Sequence, residues 1–148
     1  LYIADSWNQR IQKWEPGAKN GITVAGGNGK GALSNQFNFP QSIFIDKNLT
    51  YYILDRNNCR IQKWDENSLF GVTIAGSTNG TGEFFNSLKN PLSIIKKKDG
   101  NLLIVDQGNN RIQEYNTTTS ITSTFTNVMF PNDVKEDKNG NGIPDDEE

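Results

Sequence analysis

The pentapeptide Arg-Ile-Gln-Lys-Trp occupies residues 10–14 and again 60–64, and returns as Arg-Ile-Gln-Glu-Tyr at 111–115. An Asp stands five residues ahead of each copy, at Asp5, Asp55 and Asp106, so the copies lie 50 and 51 residues apart. A period near 50 restricts the chain to architectures built by repetition of one supersecondary unit. It also sets how single residues are read. A side chain present in every copy belongs first to the unit, and only a side chain that breaks the repeat is a candidate for a specific contact.

The second copy shows what the unit is. Residues 39–46 read as a strand with Pro40 tolerated at its entry. The β-branched and aromatic run 51–55 reads as a second strand, 60–64 as a third and 70–75 as a fourth. Arg56, Asn57, Asn58 and Cys59 make the turn between the second and third, where Asn suits a left-handed conformation. Asp55 and Arg60 flank that turn, so they can face each other across the hairpin. Such a pair is worth a few tenths to about 1 kcal/mol. The third copy repeats the pattern with strands at 92–95, 102–106, 111–115 and 121–125, and no segment shows a 3.6-residue apolar period. Four short antiparallel strands, apolar on both faces, predict an all-β fold of the β-propeller type, with sheets stacked about an axis and almost no helix.

The residues Pro40, Ile43, Phe44, Ile45, Asp46, Ile53, Leu54, Asp55, Asn58, Arg60, Ile61 and Gln62 together resemble the NHL repeat. Residues 1–5 with Asn8, Arg10, Ile11 and Gln12 are similar to it as well, and residues 23–40 look like the long connection that follows the outer strand of such repeats. The likeness extends from residue 1 to about 139. It implies a β-propeller, commonly six-bladed, with the Pro-led strand innermost. On that pattern the repeat units fall at 1–38, 39–89 and 90–129, with 130–137 starting the next and 138–148 forming an acidic or calcium-loop-like end. The total is about three blades' worth of four-stranded sheet, a partial propeller. A fragment of a longer ring is the favoured reading, and a homodimer supplying three blades from each chain is the alternative.

Composition removes several functional classes. The chain of 148 residues has no His and a single Cys, Cys59, which excludes Ser-His-Asp and Cys-His catalysis and any cysteine-cluster zinc site. It holds no run of 18 apolar residues, so a transmembrane helix is not expected. Net charge is −2, concentrated in the acidic end, which leaves a nearly neutral body unlike a nucleic-acid binder. The compartment is not indicated, because the triplets at Asn48, Asn79 and Asn116 arise by chance in a chain so rich in Asn, Ser and Thr.

Candidate contact residues lie where the copies differ. Trp7 stands on a turn where the other copies have Asn57 and Gly108, and is a candidate partner-binding residue. Lys96, Lys97 and Lys98 form the basic cluster, at the end of an inner strand that can face a binding surface. Asp137, Asn139, Asn141, Ile143, Asp145 and Glu148 have calcium-loop spacing, with Gly142 at the sharp turn. Calcium is therefore the candidate cofactor, against the simpler reading of a solvated acidic tail. No catalytic or organic-cofactor residues are assigned. The expectation is a non-enzymatic scaffold with a protein partner. The resemblance also raises an RNA-binding propeller of the tripartite-motif kind, disfavoured by charge, and a peptide-amidating-type lyase, disfavoured by the lack of His.

Overall fold

The computed structural model describes residues 1–76, 87–119 and 121–127. Eleven strands run in chain order among them: β1 (Tyr2–Asp5), β2 (Arg10–Lys13), β3 (Ile22–Gly26), β4 (Pro40–Ile45), β5 (Tyr51–Asp55), β6 (Arg60–Trp64), β7 (Val72–Gly76), β8 (Ser93–Lys96), β9 (Leu102–Asp106), β10 (Arg111–Tyr115) and β11 (Thr122–Asn127). They form three antiparallel sheets in the orders β1-β2-β3, β4-β5-β6-β7 and β8-β9-β10-β11. The Pro-led strands β4 and β8 pack beside each other, and β1 packs against β4, so the sheets stack as blades with their leading edges side by side. This is a partial β-propeller. The strand expected at 130–137, and the end at 138–148, lie outside the described residues.

Alternation explains why a blade buries both faces. Successive side chains of a strand point to opposite sides of its sheet, and all five residues of β5 are buried. Tyr51 and Ile53 enter one core with Ile11, Ala25, Phe37 and Trp64, between the first and second blades. Tyr52 and Leu54 enter another with Ile61, Leu88, Leu102, Ile104 and Tyr115, between the second and third. The recurring aromatics Trp64 and Tyr115 thus pack between blades. The register shifts at the same Ile-Gln step in each blade, Ile11/Gln12, Ile61/Gln62 and Ile112/Gln113. A bulge there bends the outer strand pair and raises its twist.

Helix is confined, among the described residues, to three 3₁₀ turns, Ser6–Asn8, Arg56–Asn58 and Gln107–Asn109. Each is closed by a left-handed residue, Gln9 (φ 55°), Cys59 (φ 51°) or Asn110 (φ 50°). The left-handed position therefore falls on Cys59 rather than on the Asn residues before it, and the thiol is nearly buried in the second core.

Two features of the blade cores are testable. A Cβ on Gly71 would lie 2.0 Å from Trp64 Nε1, so the buried indole, whose Nε1 donates to Gln62 Oε1 at 2.9 Å, rests on bare backbone. Gly71→Ala should cost about 1–3 kcal/mol by overpacking, read as a lower urea midpoint with an unchanged m-value. Burial, with Tyr2 next in effect, pushes the Tyr51 phenol from its ordinary 10.0 up to about 12. The folded state then holds a proton that the unfolded chain releases. Stability from this group is complete below pH 10 and is lost as pH rises toward about 12. Tyr51→Phe should remove part of that alkaline loss in denaturant titrations, and the last tyrosinate absorbance should appear only with unfolding.

Candidate functional site

One face of the blades is built by the 3₁₀ turns and by the connections that carry the chain from one blade to the next. Its foundation is the repeated Asp–Arg pair. Asp5 faces Arg10, Asp55 faces Arg60 and Asp106 faces Arg111 in register. In the second blade Asp55 Oδ2 accepts from Arg60 Nε at 2.7 Å and from Asn58 Nδ2 at 2.7 Å, while Oδ1 accepts from the Asn38 backbone N–H at 2.7 Å. The guanidinium then donates to the carbonyls of Ala32 (2.8 Å), Leu33 (3.0 Å) and Gln36 (2.9 Å). Side-chain exposure is 2% for Arg60 and 0% for Asp55, so this is a buried, fully hydrogen-bonded pair rather than a surface hairpin pair.

The third blade repeats it. Asp106 accepts from Arg111 Nε, Asn109 Nδ2 and the Lys89 N–H, and Arg111 Nη2 donates to the Ser87 carbonyl at 2.6 Å. Asp5, Asn8 and Arg10 make the same local bonds, but Arg10 and Asp5 keep 34% and 25% side-chain exposure. The difference reverses a titration. The Arg10 hydrogen bond lowers the Asp5 carboxyl, whereas burial is the largest effect on Asp55 and raises it against the pull of Asn38, Asn58 and Arg60.

The turns also meet the entry of the next blade. Ser6 Oγ donates to the Pro40 carbonyl at 2.5 Å, and Gln9 Oε1 accepts from the Phe39 N–H at 2.7 Å. Phe39 is held at φ 62° directly before Pro40, and Asn90 at φ 45° before Pro91. A left-handed non-glycine residue costs of order 1–3 kcal/mol and persists where surrounding bonds over-determine it. Asn90 Oδ1 accepts from Arg56 Nε and Nη2 at 3.1 and 2.8 Å, and its Nδ2 donates to Gln107 Oε1 at 2.9 Å.

Trp7 tops this face with 85% of its surface exposed, its ring edge-on to Phe39 at 5.6 Å. The basic cluster is elsewhere. Lys96 closes β8 and Lys97 starts the turn into β9, whereas the turn equivalent to that of Trp7 follows β9 at its other end. Lys97 pairs with Glu114 at 2.8 Å and Asp99 at 3.0 Å, and Glu114 first among these holds its ammonium above the ordinary range. Lys96 Nζ lies 5.2 Å over the Phe44 ring of the neighbouring blade, and Lys98 is exposed. Lys97 is thus engaged within its own blade and Lys96 against the neighbouring one, and the cluster does not join Trp7 in one site. Asp137, Asn139, Asn141, Ile143, Asp145 and Glu148 lie outside the described residues. Among the described residues no cluster of three or more Cys, Asp or Glu could hold a metal ion.

Residues 37–64 match the NHL repeat. The chain carries an NHL repeat. The matched span opens on buried Phe37 and closes on Trp64, taking in β4 to β6 and the Asp55–Arg60 pair. No curated protein matches the chain. Among solved structures it is similar to an auxiliary nutrient binding protein from Bacteroides thetaiotaomicron VPI-5482, at 18% identity and a TM-score of 0.60, over 76% of this chain and 33% of that one. The chain thus spans about a third of that structure's length, and the likeness shows the fold.

What the repeat motif did not reveal is its dependence on the connections. The carbonyls that cap Arg60 come from residues 32–36, where side-chain identity carries no signal. The one legible trace is apolar: Phe37 and Leu88, 51 residues apart, both fully buried ahead of an X-Pro step. Arg60→Ala should cost about 3–5 kcal/mol, because Asp55 would be left buried and uncompensated. Arg10→Ala should cost about 1 kcal/mol or less. Equal urea midpoints for the two variants would contradict the burial difference.

Proposed function

We propose that this chain is a non-enzymatic NHL-repeat module that binds a protein partner through the face carrying the 3₁₀ turns, with Trp7 as its principal contact. The observation that carries the reading is the exposure of Trp7, the largest apolar side chain left open on that face. Its place in the other units is taken by Asn57 and Gly108. Gly108 donates its N–H to the Lys89 carbonyl at 2.8 Å, and a Cβ there would lie 2.6 Å from that oxygen. The third blade's turn thus lies against backbone, while the first blade's turn bears a large indole. Aromatic anchors of this kind dominate protein interfaces, since they bury much area at small entropic cost.

The repeated charged residues are engaged in structural support. Each Asp of the repeated set accepts from an Asn and an Arg, and two of the three sit inside the blade stack. With no His in the chain, a lyase reading has no metal-binding imidazole to use. The RNA reading is weakened by the pairing of Lys97 with two carboxylates.

Trp7→Ala should leave the unfolding free energy within about 0.5 kcal/mol of the parent and abolish capture of a stoichiometric protein partner by the immobilised chain. A Lys98→Ala variant should capture it unchanged. Retention of the partner by Trp7→Ala would move the binding surface elsewhere, and a salt-sensitive RNA shift by the native chain would favour the nucleic-acid reading.

A further inference from the structure

The turn tips of the three blades differ in a graded way. The first carries the Trp7 indole and the second the exposed amide of Asn57. In the third, Gly108 brings no side chain and the stem of Lys89 takes the room, its Cγ lying 2.6 Å from where a Cβ on Gly108 would stand. The place that is aromatic in the first unit and an amide in the second is thus filled in the third by an exposed, ammonium-bearing chain.

Direct contacts join these tips into one strip. Trp7 meets Phe39 edge-on, and the carbonyl of Asn38, next to Phe39, accepts from the Asn57 N–H at 3.0 Å. Arg56, beside Asn57, donates from Nε and Nη2 to Asn90 Oδ1, and Asn90 follows Lys89. The strip therefore runs from an apolar end through amides to a cationic end. Its cations stand without a countercharge. Asp5, Asp55 and Asp106 beneath are each taken by an Arg. Glu15, Asp46, Asp65, Glu66, Asp99 and Glu114 belong to the other ends of the strands, away from the 3₁₀ turns. Among the described residues neither Arg56 nor Lys89 has a carboxylate within ion-pairing distance.

We propose that the partner of this face presents an acidic extended segment, with an apolar side chain seated on Trp7 and carboxylates received by Arg56 and Lys89. The inference rests on the protein-binding reading and adds the chemistry of the partner to it. Arg56 is suited to the task. Two of its nitrogens are anchored on Asn90, so the guanidinium is ordered before a ligand arrives, and Nη1 makes no bond to the described residues. A fixed guanidinium is a strong and directional receptor for carboxylate. Between the two ends, the side chains of Asn38 and Asn57 offer amide donors and acceptors of the kind a peptide main chain needs. Two cations on the strip match a few carboxylates, whereas a nucleic acid carries a phosphate at every nucleotide and calls for a longer basic track.

Random peptides displayed on phage and selected on the immobilised full chain are the probe. The selected sequences should combine one large apolar residue with a cluster of Asp and Glu. The strongest of them, synthesised with a fluorescent label, should bind less tightly as salt is raised. Arg56→Gln together with Lys89→Gln should weaken it about tenfold. Arg56→Glu with Lys89→Glu should in turn bind a version of the peptide whose acids are replaced by Lys, a rescue that a merely structural role would not produce. Selected peptides that lack acids yet still need Trp7 overturn this inference alone and leave the protein-binding reading standing. No selected peptide, beside continued Trp7-dependent capture of a folded partner, overturns it in the same way. Acidic peptides that bind Trp7→Ala as tightly as the parent overturn the apolar seat and the Trp7 reading together. Polyuridine that displaces the peptide at lower concentration would assign the strip to RNA and overturn it as well.

Discussion

The interaction on which the blade stack depends is the buried Asp55–Arg60 pair together with the carbonyls that cap it. Two opposite charges removed from water lose several kcal/mol of hydration each, and their attraction compensates only when the remaining donors and acceptors are filled. Here they are filled by backbone. Asn38 donates to the carboxylate while Ala32, Leu33 and Gln36 accept from the guanidinium. One pair thereby ties a hairpin of its own blade to the segment arriving from the blade before. The same segment carries Phe37 into the core beside Trp64, and Gln9 of the first blade accepts from the Phe39 N–H just ahead of β4.

The cost of burying that pair recurs as order elsewhere. A fully bonded polar network tolerates little displacement, so the turns above it are held in one conformation with a left-handed residue at a fixed place in each blade. A rigid turn face with variable residues on top is a good platform for recognition, because the ordering entropy of the loops is spent in folding rather than in binding. Trp7 rests on this platform through its edge-on contact with Phe39. The environment also overrides residue type: the identical carboxylates of Asp5 and Asp55 shift in opposite directions because one meets solvent and the other does not.

Strand positions, the antiparallel pairing of Asp with Arg and the blade-to-blade packing of Trp64 and Tyr115 were legible in the sequence, since they follow from period-two patterning and from a motif repeated at a constant offset. The depth of the Asp–Arg pair was not legible. Burial comes from a connection 24 to 28 residues away that contributes main-chain oxygens, and main chain leaves no trace in residue identity. The dispersal of the lysines was hidden for a similar reason. Three consecutive basic residues suggest a patch, but Lys97 is drawn to Glu114 across the sheet while Lys96 reaches over Phe44 of the next blade.

The sequence by itself determined the repeating unit, its four-strand pattern and its resemblance to the NHL repeat, because alternation and a 50-residue period are properties of residue order. Only the tertiary structure decided which copies of one motif are sealed and which is open, and which exposed aromatic stands on a braced surface. Those outcomes depend on what packs against a residue from another blade, and solvation and hydrogen-bond completion are set there rather than by the residue itself.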